Sequence, residues 1–268
     1  NSEDKRGVDV AILWNTDKLE YIEHAEIDLG DVIKFDSRNI LRVHFHPKAA
    51  PAGTIFGVYV NHWPAMMSPA NNRMAAARKL AAEIDAQTKK IGKDRYYLMA
   101  IGDFNTPEHE MPNAFYHVMY NPGLDNKLYD VQSIFETEKS PMQFKMPPTS
   151  YYNSGGQNWV KFDRLAVSQN LVHGEGPGVL LPSFRIVGTA PLMRSVSFTG
   201  RSADFYPLSQ LIPNRYNSNA NKPEEAGYSD HLPVIVKIKW TSFSKTLESL
   251  KEAHSEESSR FLEVINSY

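Results

Sequence analysis

"YYLMAIGDFNTPE", Tyr96 to Glu108, is the stretch whose reading decides the fold. Six apolar or aromatic residues run from Tyr96 to Ile101, then Gly102 introduces Asp103 and Asn105 on either side of Phe104. A short apolar run closed by a turn residue reads as a buried strand. Polar residues placed where a strand gives way to a loop stand where sites are commonly built. Alternate residues of a strand share a face, so Asp103 and Asn105 are expected to converge on one ligand.

Working outward, Thr54 to Val60 reads as another buried strand and leads into Asn61-His62-Trp63-Pro64. A helix follows, with Ser68 as its cap, Pro69 suited to its first position, and Ala, Met and Leu filling it to Gly92. Val8 to Trp14, Ile40 to Phe45, Lys161 to Val167 and Val234 to Trp240 complete the set of expected strands. Strands alternating with a well-marked helix predict a layered α/β architecture. Residues 108–152 and 171–228 read as two long irregular or polar regions, the kind of loop that is functional or mobile. Leu247, Leu250, Phe261 and Ile265 space out one face of a helix, so 241–268 is expected to be an amphipathic helical tail to a domain spanning 1–240.

The 268 residues include no cysteine, which rules out disulfides, thiolate nucleophiles and cysteine-bound zinc. A hydrophobic content of 41% with 22% charged residues describes a globular chain, not a disordered one. With 29 Lys+Arg against 31 Asp+Glu, the net charge of -2 advertises no global attraction to nucleic acid, although a locally basic groove is compatible with it. No apolar run approaches the roughly 18 residues of a membrane span. Location is left open, with a secreted or periplasmic setting slightly favoured.

The polar residues at the strand ends form a pattern. Asn61 and His62 follow one strand, Asp103 and Asn105 another, Asp163 opens a third, and Asp230 and His231 precede the last. Carboxylates, an amide and two imidazoles suit a hard, oxygen-preferring cation such as Mg²⁺ with a phosphate beside it. An Asp can position or deprotonate water, an Asn can orient it, and a His can donate a proton when a carboxylate supports its charged form. Asp163 is the candidate partner of that kind for His231, and Arg164 is the competing ordinary partner for Asp163.

"VNHWP", "GDFN", "W-x-x-FDRLAVS" and "YSDHLPV", in that order, resemble the motifs of the endonuclease/exonuclease/phosphatase superfamily, the DNase I-like proteins. "RGVDVAILW" with "NHWP" resembles a bacterial endonuclease branch of it. The resemblance runs from about Arg6 to Trp240 and implies a four-layer α/β-sandwich and metal-dependent phosphodiester hydrolysis. It implies that His62 acts as an acid or phosphate ligand, and that Asp103 handles the attacking water or the leaving-group proton, with Asn105 beside it. Asp163 would support His231, which contacts the phosphate or acts as base. Asp230, with Asp103, would lie at the Mg²⁺, for which Mn²⁺ or Ca²⁺ are substitutes, and Asn61 and Asn153 would line the substrate.

The chain departs from the family pattern at its start. The resemblance implies an asparagine-bearing strand and a glutamate metal ligand ahead of Val8, where only seven residues stand, and Glu3, Glu20, Glu23 and Glu26 do not take that part. The expectation is therefore a missing N-terminal segment that would complete the sheet and the metal site, the first strands of one sheet being absent. Three functions are weighed: a nuclease, a phosphodiesterase or phosphatase for a phospholipid or small phosphate ester, and a catalytically incomplete binding module. Arg185, Arg194, Arg201 and Arg215 lend the second long region positive charge and lean towards nucleic acid.

Overall fold

The apolar runs that flank the "GDFN" turn find their partners in one six-stranded sheet. The computed structural model describes residues 8–33, 37–119, 121, 123–137, 146–156, 158–173, 176–195, 211–222 and 225–240. The expected C-terminal helix and Glu3 lie outside them. In chain order come β1 (Leu19–Ile27), β2 (Ile40–Pro47), β3 (Ile55–His62), α1 (Ala70–Ile91), β4 (Tyr96–Asp103), α2 (Ala114–Met119), β5 (Leu128–Asp130) and α3 (Val131–Thr137). There follow β6 (Tyr151–Asn153), β7 (Asn158–Val160), β8 (Asp163–Ser168), α4 (Gln169–His173), β9 (Gly178–Ile186), β10 (Met193–Ser195), β11 (Leu211–Pro213) and β12 (Val234–Lys239).

The main sheet has the order β1-β2-β3-β4-β8-β5, with β3 and β4 parallel and joined through α1, and β8 antiparallel to β4. Period-two alternation sends its side chains into two cores. On one face Tyr59, Leu98, Ala100 and Ala166 meet Ala76, Ala77, Leu80 and Ile84 of α1 and Phe115 of α2. On the other, Val58, Val60, Met99 and Leu165 meet Phe135 of α3, Leu171 of α4 and Phe184 of β9. β9 pairs with β12 in a second, two-stranded ladder over that face. The expected α/β layering is what the molecule has.

Several local expectations are corrected. Val8 to Trp14 forms no strand and joins no ladder among the described residues. Its alternate residues Val10 and Ile12 still lean on the second core, so the period-two pattern reflects packing rather than pairing. β1 carries Glu20, Glu23 and Glu26 and hid behind them, as an edge strand with polar outward residues does. The 108–152 region holds α2, β5, α3 and the start of a β6–β7 hairpin, and 171–228 holds α4 and β9 to β11, so neither is irregular throughout. At α1, Pro69 is the cap residue and no side chain caps it. Ser68 instead accepts from Asn72 through its hydroxyl and from Arg73 through its carbonyl.

Beneath α1 lies a buried polar network. The Tyr96 hydroxyl lies 2.7 Å from that of Tyr59 and 3.1 Å from His44 Nε2, while Arg42 ion-pairs with Glu23 and Glu83. Gly57 makes room for it, since a β-carbon there would stand 2.5 Å from the Tyr96 hydroxyl. Burial, with the Arg42 charge behind it, pushes the His44 pKa down to about 4. A depressed folded-state pKa means that the unfolded chain binds the extra proton, so stability is lost as pH falls from about 6.5 towards 4. The stability difference between wild type and H44Q, read from urea midpoints, is expected to change by about 2 kcal/mol between pH 7 and pH 5.

Candidate active site

Three neighbouring strands end on one row. His62 of β3 is the register partner of Asp103 of β4, and Asp103 is the register partner of Asp163 of β8. Register partners in adjacent strands sit about 5 Å apart with their side chains on one face of the sheet. Asp103 therefore shares the face of Ile101, towards the β9–β12 ladder, and His62 Nε2 lies 3.6 Å from its Oδ2. Gly102 allows the strands to close up there. It has φ 123°, and a β-carbon would meet the Asn61 carbonyl oxygen at 2.0 Å.

Beyond the row the chain turns sharply. Asn105 adopts φ 47°, a left-handed conformation open to Asn at low cost. Its backbone N–H donates to Asp103 Oδ1 at 2.8 Å and its side-chain amide to Asp103 Oδ2 and to the Trp63 carbonyl, both at 3.0 Å. Asp103 and Asn105 do converge, but through this turn and not through strand alternation, because β4 ends at Asp103. Phe104 is the anchor between them, buried against Trp63 and Phe115 with ring centres 4.8 Å from each.

His231 arrives from the other layer, just ahead of β12. Its Nδ1 donates to Asp163 Oδ2 at 2.6 Å, and its Nε2 faces Asp103 Oδ2 at 4.0 Å. The Ser150 hydroxyl donates to the same Asp163 oxygen at 2.6 Å, and the Ser150 carbonyl accepts from Leu232 N–H at 2.8 Å. Ser150 thus holds both members of the pair. The Tyr151 ring lies 4.6 Å from that of His231 and 4.9 Å from that of Phe162. Within "SYYN" only Asn153 is marked by the resemblance, and Ser150 and Tyr151 are brought to the site by tertiary pairing alone.

Charge sets the ionisation of these groups. Burial, then the facing Asp163 carboxylate, raises Asp103 to a pKa of about 6 against the opposing pull of His231 and the Asn105 N–H. For His231, burial acts downward, but the Asp163 hydrogen bond and the charges of Asp163, Asp103 and Asp230 outweigh it and raise its pKa. Arg164 is not the partner of Asp163. It points to the opposite face and forms a fully buried ion pair with Asp130 at 3.0 Å.

Three further candidate residues each have partners within the protein. Asn61 is buried, donating to the Tyr59 and Ile101 carbonyls and accepting from Trp63 Nε1, so it holds the end of β3. Asn153 closes its own hairpin by accepting from the N–H groups of Gly155 and Gly156. Asp230 forms an ion pair with Arg215 at 3.5 Å. Among the described residues no group of three His, Asp or Glu side chains is arranged to hold a metal ion. Both oxygens of Asp103 and the inward oxygen of Asp163 are already occupied by protein donors. The described residues do not by themselves fit Mg²⁺.

The fold is a mixed α/β one with a row of carboxylates and an imidazole at the end of its main sheet. Residues 1–240 match the endonuclease/exonuclease/phosphatase family, and the chain belongs to it. No curated protein matches the chain in sequence. Solved structures that it resembles include the human Nocturnin catalytic domain with bound sulfate, at 14% identity and TM-score 0.49 over 84% of this chain and 61% of that one. D. rerio TDP2 complexed with single-strand DNA product is similar at 13% identity and TM-score 0.49, over 84% and 70%. The Bacteroides thetaiotaomicron mannosyl-6-phosphatase is similar at 16% identity and TM-score 0.47, over 85% and 69%. The chain thus spans less than two thirds of the Nocturnin domain. No helix among the described residues is long and apolar enough to cross a membrane.

The shared oxygen of Asp163 gives a direct test. Ser150→Ala removes a competing donor, leaving the full Asp163 charge to His231. The His231 titration followed by NMR is expected to move up by roughly 0.5–1 unit, the equivalent of one hydrogen bond. Ser150→Thr is expected to restore it, and Asp163→Asn to move it down.

Proposed function

We propose that the chain hydrolyses phosphodiesters, with nucleic acid as its substrate, by acid–base chemistry shared among Asp103, His231 and His62. The observation that carries this reading is the imidazole of His231, fixed through Nδ1 by Asp163 and presenting Nε2 towards Asp103. A carboxylate that orients and charges an imidazole in this way serves proton transfer or phosphate contact. A module that only binds has no use for two carboxylates held face to face at a cost.

In this reading the Asp103 carboxylate takes a proton from water as the water oxygen bonds to phosphorus. The bond from phosphorus to the leaving oxygen breaks, and that oxygen receives the proton of the His62 imidazolium. His231, protonated because its pKa is raised, donates Nε2–H to a non-bridging phosphoryl oxygen. Asp103 and His62 then exchange the proton across their 3.6 Å gap and regain their starting states. Asn105 keeps the Asp103 carboxylate turned to the row through its two donors.

The pH profile follows from these assignments. Asp103 must be ionised, so activity is expected to rise through about pH 6. His231 and His62 must both be protonated, so activity falls again as either imidazole loses its proton, with His231 holding its proton beyond the ordinary histidine range. Using bis(p-nitrophenyl) phosphate in the presence of Mg²⁺, Asp103→Ala and His231→Ala are each expected to lower kcat about 10²- to 10⁴-fold, with the fold intact by circular dichroism. Hydrolysis that survives both changes unaltered would overturn the assignment.

A further inference from the structure

The imidazole of His231 is gripped in two ways. Its edge is fixed where Nδ1 meets Asp163 Oδ2. One hydrogen bond holds one point of a ring and leaves its plane free to turn about that contact. The plane is set by Tyr151, whose ring lies 4.6 Å from the imidazole with 36° between the two planes. Phe162 in turn stacks on Tyr151 at 4.9 Å and 23°. Three rings thus pack in series, in the offset geometry that aromatic pairs favour.

The backbone keeps this stack in place. Tyr151 is the bridge partner of His231, and the next residue along, Leu232, donates its N–H to the Ser150 carbonyl at 2.8 Å. Tyr151 also faces Val160 across the β6–β7 hairpin. The Phe162 carbonyl accepts from Phe104 N–H at 3.0 Å, which ties it to the "GDFN" turn. Two pairs of sequence neighbours share the task. In Ser150-Tyr151 and in Phe162-Asp163, one polar residue serves the edge of the imidazole and one aromatic residue serves its face. Tyr152 points the other way, as alternation requires, and is buried against Trp159 at 5.4 Å.

The hydroxyl of Tyr151 is left over. Ser150 gives its own to Asp163 and Thr149 to the Val160 carbonyl, while the hydroxyls of Tyr59 and Tyr96 meet each other. That of Tyr151 has no hydrogen-bond partner among the described residues, and its side chain is only half-buried. Burial, then the Asp230 charge and, against that of Arg215, the Asp103 charge raise its pKa. The phenol therefore keeps its proton and remains a donor within the field of the row.

We propose that Tyr151 belongs to the catalytic machinery, its ring setting the plane of His231 and its hydroxyl donating to the phosphoryl group of the substrate. The inference rests on the phosphodiester reading above and deepens it. A phosphodiester carries two non-bridging oxygens. His231 Nε2 takes one, and the Tyr151 hydroxyl takes the other. Ring and hydroxyl belong to one stiff side chain, so the donor that grips the phosphate also aligns the imidazole that works on it. Alignment of this kind contributes to rate because the bound geometry is already close to the reacting one.

Kinetics with bis(p-nitrophenyl) phosphate in Mg²⁺ separate the two parts. Tyr151→Phe keeps the ring and loses the donor, so KM is expected to rise about tenfold with kcat within about threefold of wild type. Tyr151→Leu loses both, and its kcat is expected to fall about tenfold or more below that of the Phe variant. The ring acts through the imidazole, so adding Tyr151→Leu to His231→Ala is expected to cost less than about twofold further in kcat. Binding of inorganic phosphate in the same buffer, followed by phosphorus NMR line width, is expected to weaken about tenfold in both Tyr151 variants. Tyr151→Met replaces Tyr151→Leu if circular dichroism shows the latter unfolded. A Phe variant with wild-type KM and phosphate binding overturns the proposal. So does a Leu variant whose kcat equals that of the Phe one, or whose full penalty persists on top of His231→Ala. If wild type hydrolyses the diester and the Tyr151 variants match it, the phosphodiester reading stands without Tyr151. If no diester is hydrolysed but phosphate binding depends on the Tyr151 hydroxyl, that reading fails and the phosphate donor stands.

Discussion

Everything at the candidate site depends on the register of three neighbouring strands. β3, β4 and β8 bring His62, Asp103 and Asp163 onto one row. Carboxylates directly opposite each other on adjacent strands repel, and the sheet holds them there because its hydrogen bonds and two cores fix the register. A slip of one residue would turn all three towards the helices and bring Arg164 to the site face. The ladder therefore determines the chemistry before any loop is considered.

The loops are then secured from behind. Arg164, one residue along from Asp163, faces the helical side, where it pairs with Asp130 and reaches the Thr106 carbonyl behind the "GDFN" turn. Removing one member of such a buried pair leaves an uncompensated charge and costs several kcal/mol, so each holds the other in place. Lys161 bridges Glu108 and Glu136, and Arg73 joins the two loops that follow β3 and β4. These pairs lie next to the site without contacting the reacting atoms. They convert a sheet edge, where backbone is usually loosest, into a rigid rim.

Much of this was legible because buried strands and strand-end polar residues leave strong local marks. The runs ending at His62 and Asp103 and the run opening at Asp163 were all read from composition and period. β1 was not, because an edge strand bearing three glutamates has no apolar signature. α2 and α3, at six and seven residues, are too short for helical periodicity to register. Val8 to Trp14 shows the reverse failure, since apolar alternation reports a face that packs and cannot report whether a ladder partner exists. Motif position marks Asn61, Asn153 and Asp230 but cannot report their side-chain partners, which are the ends of β3 and β4 for Asn61, its own hairpin for Asn153 and Arg215 for Asp230. Ser150 and Tyr151 carry no local mark at all, and their place is made by the contact between the β6–β7 hairpin and the segment entering β12.

The same charges explain why the site is poised rather than merely assembled. Asp163 alone would raise Asp103 by repulsion, and His231 alone would be pulled down by burial. Placed between them, the imidazole is charged by Asp163 and in turn relieves Asp103, so each ionisation supports the next. Asp103 ends at about 6 and His231 above its ordinary value, so the two are drawn towards each other in acidity. Ser150 draws on the Asp163 oxygen that charges His231 and so limits how basic the imidazole becomes. A buried serine outside the row is thereby tied to the charge of the imidazole through one shared carboxylate oxygen.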